Sequence, residues 1–257
     1  MKTISLINKL AKRFPKRLRS SGDRGGLMTG KLKEETKVIA LALDFDDDAF
    51  EAIKKLPKKP DLILTHHPFI YGTKYRVFKG DKVKEDLCKR IDEYDIPVYS
   101  MHTNFDTGKD GMNDALAEAL GLVDIKPLDT CSMARGGRLP EPMEIHEFAK
   151  FAIKQFKLPY AELIHRGTDV IKTVAILGGA GSYKSRNSRL EGYDIFISGD
   201  APHHMRREIV NYKYNYLNVL HEVEKIFMPQ MEKIIHEMDP SIEIYQIDQE
   251  EFPELIK

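Results

Sequence analysis

The order of elements in this chain predicts an α/β fold with mostly parallel sheets. Two observations carry that expectation. Unbroken apolar runs of strand length recur without the polar alternation of a half-solvated strand. Between them lie stretches whose apolar residues repeat at helical spacing. The pattern fills both parts of the 257-residue chain, so two α/β halves are expected, 1–125 and 126–257.

The first element is an amphipathic helix with Ile4, Ile7, Leu10 and Ala11 on one side, ended or interrupted by Pro15. Residues 37–45 carry the unbroken apolar run VIALAL, the pattern of a strand buried on both faces. A helix follows over 46–56, with Phe50 and Ile53 at helical spacing and Pro57 and Pro60 closing it. Residues 61–65 form a second buried strand. Residues 82–94 read as a helix with Val83, Leu87, Cys88 and Ile91 inward, and 96–101 as a third strand. The helix over 111–120 buries Ala115, Leu116, Ala119 and Leu120 and stops at Gly121.

Residues 126–142 hold Pro127, Pro140, Pro142 and the Gly136-Gly137 pair, and are the expected boundary between halves. Beyond it come a helix over 145–156, strands over 173–177, 194–198 and 215–220, and a closing helix over 225–238. Pro229 fits that helix only within its first turn.

Composition narrows the function. Forty basic residues balance forty acidic ones, so no whole-chain field draws the protein to nucleic acid or a membrane surface. Cys88 and Cys131 form no close pair, which speaks against a disulfide framework or thiolate zinc site and suits a reducing cytoplasm. No stretch approaches the ~20 apolar residues of a membrane span. The first 22 residues carry seven Lys/Arg and no acid, the composition of a transit peptide or an anionic-surface arm. The amphipathic first helix is the preferred reading of that segment, and a cytoplasmic location is expected.

In open α/β sheets, ligands gather at the carboxyl ends of strands. Strand 61–65 ends at His66 and His67. Strand 96–101 ends at His102, with Asp106 close behind. Strand 194–198 leads to Asp200, His203 and His204, and strand 215–220 to His221, Glu222 and Glu224. Six of the nine histidines therefore lie at such ends. Each group has a bland reading alone: a histidine satisfied in a turn, a capping aspartate, acids favoured by a helix dipole. One metal site accounts for all of them together. Imidazole and carboxylate without thiolate suit Zn, Fe or Mn. The donors outnumber what one open catalytic ion needs, so two divalent ions, roughly 3–4 Å apart, are expected. Neighbouring strand residues point to opposite sides, which lets His66 and His67 serve different ions.

At these residues the chain resembles the GTP cyclohydrolase 1 type 2 homologues, also described as Ngg-interacting factor 3-like proteins. The matching stretches are Phe14-Pro15, DRGGLMTG from Asp23, ALDF from Ala42, DLILTHHPFIYG from Asp61 and HTNFDTGKDGMNDALAEALGL from His102. GGAGS from Gly178, ISGDAPHH from Ile197 and HEVEKIF from His221 complete the set. The resemblance implies two metal ions per chain held by His66, His67, Asp106, His221 and Glu224, with Asp44, His102 and His204 lining the cavity. It implies two intertwined α/β halves with the metal site in the cleft between them, the C-terminal segment supplying ligands. It also implies a homohexamer. The segment between Leu122 and Gly178 is too short for the inserted domain many relatives carry. The sequence departs from the usual WDNVGL opening, with Gly22, Arg24 and Gly25 at the positions of Trp, Asn and Val. Leu220 replaces a usual glycine, and Glu222 is an alternative to Glu224.

The function this implies is metal-dependent hydrolysis of a small, nucleotide-like substrate, with His102 or His204 as general acid or base. The GGAGS loop, with Arg186, Arg189, Arg206 and Arg207, is a candidate for phosphate contact. The alternative is a metal carrier, assembly or regulatory protein with the same ligands. Nucleic-acid binding rests on the basic N-terminus alone and is disfavoured.

Overall fold

The computed structural model describes residues 1–256 and contains two sheets with helices around them. The chain forms two compact units. Met1–Lys109 and Phe227–Glu251 make the first; Asp110–Ile226 and the segment from Phe252 make the second. The expected division at 125/126 falls inside a strand of the second unit.

In the first unit the elements run α1 (Thr3–Arg13), β1 (Gly26–Thr29), β2 (Val38–Ala42), α2 (Asp47–Lys54), β3 (Leu62–Thr65), α3 (Lys74–Gly80), α4 (Lys82–Glu93), β4 (Val98–Ser100) and α5 (Thr103–Thr107). The second unit contributes α6 (Met112–Ala119), β5 (Val123–Leu128), β6 (Cys131–Glu144), α7 (Ile145–Gln155), β7 (Glu162–Ile164), β8 (Val170–Ile176), α8 (Ser185–Leu190), β9 (Ile195–Ser198), α9 (His203–Asn211) and β10 (Asn215–Asn218). The chain then returns to the first unit with α10 (Phe227–Met238) and β11 (Glu243–Ile247).

The first sheet has the order β1-β4-β3-β2-β11, and only β1 runs antiparallel to its neighbour. Every residue of β2 and β3 is buried, as continuous apolar central strands require. Asp46 caps α2 by accepting from the Ala49 N–H at 2.8 Å, and Asp81 caps α4 from Lys84 N–H at 3.0 Å. The inward stripe of α1 is Thr3, Leu6, Ile7 and Leu10, whereas Ile4 is 57% exposed. The expected stripe was therefore rotated: counting Ile4 and Ala11 missed that Leu6 completes the i, i+4 row with Leu10. Pro229 is the third residue of α10, inside its first turn.

The second sheet has the order β5-β6-β8-β9-β10-β7. Here only β8-β9 and β9-β10 are parallel, so this sheet is mixed, not mostly parallel. The expected boundary at 126–142 is a β-hairpin. Its prolines are accommodated because β5 is an edge strand and because the β6–β8 register shifts between Arg138 and Met143, where Pro140 and Pro142 lie. Gly136 is no linker residue either, since a Cβ there would overlap the Tyr193 hydroxyl. Gly136→Ala should cost about 1–3 kcal/mol of overpacking. Urea unfolding would check it, and adding Tyr193→Ala should recover part of the loss.

These topologies have one consequence for function. The parallel strands β2, β3 and β4 end on one edge of the first sheet, and β8, β9 and β10 end on one edge of the second. Among the described residues, no helix is long and apolar enough to cross a membrane.

Candidate metal centre

In the first unit the histidine pair sits on backbone still tied to the sheet. His66 N–H donates to Ala42 O at 3.2 Å and His67 N–H to Leu43 O at 3.0 Å. His66 is fully buried, and its Nδ1 lies 2.9 Å from Met101 O. A carbonyl can only accept, so Nδ1 carries the proton and Nε2 is left as the donor atom for a cation. That Nε2 faces Asp106 Oδ1 at 3.4 Å. His67 Nδ1 is 2.8 Å from Asp44 Oδ2, and His102 Nδ1 is 2.9 Å from Asp23 Oδ1. One ligand atom from each of His66, His67 and His102 falls within a 4.8 Å cluster.

The two adjacent histidines do not diverge as a strand pair would. Their ring centroids are 4.8 Å apart. The reason is that β3 ends at Thr65, so the alternation of a pleated strand no longer governs them.

Asp23 is a residue the sequence reading did not single out as a site group. It accepts from His102, from the Thr103 hydroxyl and from the Thr103 and Arg24 N–H groups. Burial alone would raise its carboxyl, but those hydrogen bonds outweigh it and hold the group well below the usual carboxylate range. Its signal lay in the GDRGG stretch, an acid set among three glycines.

In the second unit, His221 follows β10 and opens a 3₁₀ turn over His221–Ile226. Its Nδ1 pairs with Asp200, which follows β9, and its Nε2 lies 3.0 Å from Glu224 Oε2. Glu224 is buried, whereas Glu222 makes no such contact, so Glu224 is the acid beside His221. Gly179, at φ +58°, forms the floor: a Cβ there would stand 2.5 Å from Glu224 Oε1 and 3.1 Å from His221 Nε2. Burial works against a charged His221, but Glu224 and then Asp200 outweigh it and push its pKa up to about 9.

That shift has a sign. In the metal-free chain, the pairing contributes stability in full below the ordinary imidazole value of 6.5 and loses it as pH rises through about 9. The urea midpoint of metal-free protein should therefore fall across that window, and the slope should shrink in His221→Asn.

His204 is not drawn into this group. It is exposed in the first turn of α9. The helix begins at His203, directly after Pro202, so the histidine pair belongs to a solvated helix start instead of a strand end.

The donor set fits divalent metal. His66, His67, His102 and His221 each place Nδ1 against an oxygen, and His221 also sets Nε2 beside the Glu224 carboxylate, the arrangement in which outer carboxylates and carbonyls fix metal-binding imidazoles. The Gly179 floor leaves the Glu224 carboxylate space that any side chain would take. Asp44→Asn and Asp200→Asn should each weaken metal binding by roughly 10–100-fold without removing a ligand. Competition with a chelating dye would measure it.

Fold and side chains together define an α/β protein with histidine–carboxylate groups suited to divalent cations at the strand ends. The chain belongs to the Duf34/NIF3 (NGG1p interacting factor 3) family, whose model matches residues 1–253. It is 29% identical over 256 residues to a protein of Clostridium perfringens named GTP cyclohydrolase 1 type 2 homolog, covering 95% of each chain. A Methanocaldococcus jannaschii protein of the same name is 35% identical over 217 residues, covering 80% of this chain and 82% of that one. Among solved structures, reduced HcgD from Methanocaldococcus jannaschii is 28% identical, with a TM-score of 0.79 over 96% of this chain and 98% of its own. A Bacillus cereus protein related to NIF3 shares the fold at a TM-score of 0.87, over 100% and 99% of the chains, at 19% identity.

Proposed function

We propose that the chain is a metal-dependent hydrolase using two divalent ions per chain. Their ligands are His66, His67 and Asp106 from the first unit and His221 and Glu224 from the second. The observation that supports this reading is the shared form of the histidines, each with Nδ1 against an oxygen, the arrangement in which outer carboxylates and carbonyls orient metal-binding imidazoles. Each unit alone supplies an incomplete set, His-rich in one and a single His–Glu pair in the other.

When bound, such ions supply Lewis acidity, lowering the pKa of water from ~15.7 towards ~7. The chain's own residues orient and move protons. Asp23 fixes the tautomer of His102, so that His102 Nε2 accepts a proton from the attacking water and returns it to the leaving group. Asp44 and Asp200 hold His67 and His221 in the same way.

The substrate class is nucleotide-like, and the names of the relatives support testing GTP first. Purified protein loaded with Zn, Mn or Fe should turn over GTP or a member of a panel of phosphoesters and cyclic amidines. That activity should vanish in His102→Ala with metal content retained. Stoichiometric metal with no turnover on any of them would favour a carrier or assembly role. We also propose a homohexamer, supported by family likeness. Light scattering would then read six times 29.5 kDa.

A further inference from the structure

The second unit contains a cavity of about 500 Å³ at the carboxyl ends of β9 and β10, and its walls carry an imbalance of charge. Three carboxylates line it: Glu162, Asp200 and Glu222. Two of them are committed. Asp200 holds His221 Nδ1. Glu162 accepts from Asn218 Nδ2 at 2.7 Å and has the Arg206 guanidinium at 3.7 Å, which cancels its charge. Glu222 enters no hydrogen bond or ion pair among the described residues, so its carboxylate is the charge on the wall that no side chain offsets. The remaining lining is largely apolar, with Pro202, Val219 and Leu220 among it.

A concave site of this volume, partly apolar and carrying one uncompensated acid, selects a small ligand with an apolar body and a cationic or N–H-rich end. A phosphate or carboxylate would meet Glu222 unpaired and is rejected. The same geometry separates the two acids of the HEVE stretch. Glu224 is buried against His221, whereas Glu222 faces the cavity whose wall His221 also forms.

We infer that this cavity is a recognition pocket for an amine, amidine or amino-heterocycle, and that Glu222 is its specificity-determining residue. If the metal-centre reading holds, the ligand is the substrate or its non-reacting part, because His221 is common to the pocket and the metal donors. The pocket itself does not depend on that reading.

The test uses three isosteric probes of different charge, benzamidine, benzamide and benzoate, titrated calorimetrically into the full-length protein with and without zinc. Benzamidine should bind at least 10-fold more tightly than either of the others, and Glu222→Gln should erase that preference. Glu222→Asp should keep it in part. Zinc content should be the same in Glu222→Gln as in the wild type. Equal affinity for the three probes, or a preference that survives Glu222→Gln, would overturn the inference. Loss of zinc from Glu222→Gln would overturn it differently, by making Glu222 a metal ligand. A wild type that binds no zinc yet prefers benzamidine through Glu222 would sink the metal centre and leave the pocket standing.

Discussion

Asp106→Ala is expected to strip the protein of most of its metal, weakening binding by more than the ~10–100-fold that losing an orienting partner costs. Asp106 is buried on the short helix α5 and faces His66 Nε2 at 3.4 Å. A buried carboxylate beside a buried imidazole is costly to keep in an apolar surrounding, here Phe105 and Phe227 packed on the His66 ring at 6.4 and 5.4 Å between centroids. A cation between the two groups would offset that cost. Removal of the carboxylate should therefore lower affinity sharply while the metal-free chain still folds. Metal titration followed by urea unfolding of the apo form separates the effects. Unchanged metal affinity in Asp106→Ala would remove it from the ligand set.

The largest effect on stability is expected at an ion pair within the second unit. Arg135 on β6 is 2% exposed, and its guanidinium is held by Asp114 of α6. Its Nη2 lies 3.2 Å from Asp114 Oδ2, Nε pairs with Oδ1, and Nη1 donates to Ser132 O at 2.8 Å and Met133 O at 3.1 Å. Truncating the acid leaves a buried cation without its counter-charge, a change of about 3–5 kcal/mol. Asp114→Ala should lower the urea midpoint accordingly, and Asp114→Ala with Arg135→Met should recover much of the loss, since a buried pair replaced by apolar groups is often neutral. A loss below about 1 kcal/mol in the single variant would mean that water reaches Arg135. The Asp110 N–H also donates to Asp114 Oδ2 at 2.7 Å, so the same side chain anchors the entry to α6.

What could be read in the sequence follows from physical visibility. Strands β2, β3 and β9 were legible because a strand buried on both faces is apolar along nearly its whole length. The strand-end rule then placed His66, His67, His102 and His221 correctly at one edge of each sheet. The β5–β6 hairpin was illegible because its prolines and glycines look like a linker. They are tolerated only through an edge position, a register shift and the close approach of Tyr193, all of which are tertiary facts. Asp23 was passed over, and Asp200 was noted without its role, for a related reason. An acid beside Gly or Pro reads as turn chemistry until folding brings an imidazole to it. The start of α9 at His203 was hidden in the same way, because Pro202 and the histidine pair read as the continuation of a strand end.

The proposed function requires metal ligands from both units, and metal content per chain tests that requirement most directly. Elemental analysis of extensively dialysed wild type, His66→Ala and His221→Ala, each confirmed folded, should find about two divalent ions per wild-type chain. Both variants should fall to one or none, although their substitutions lie in different units. Full metal content in either folded variant would contradict that requirement.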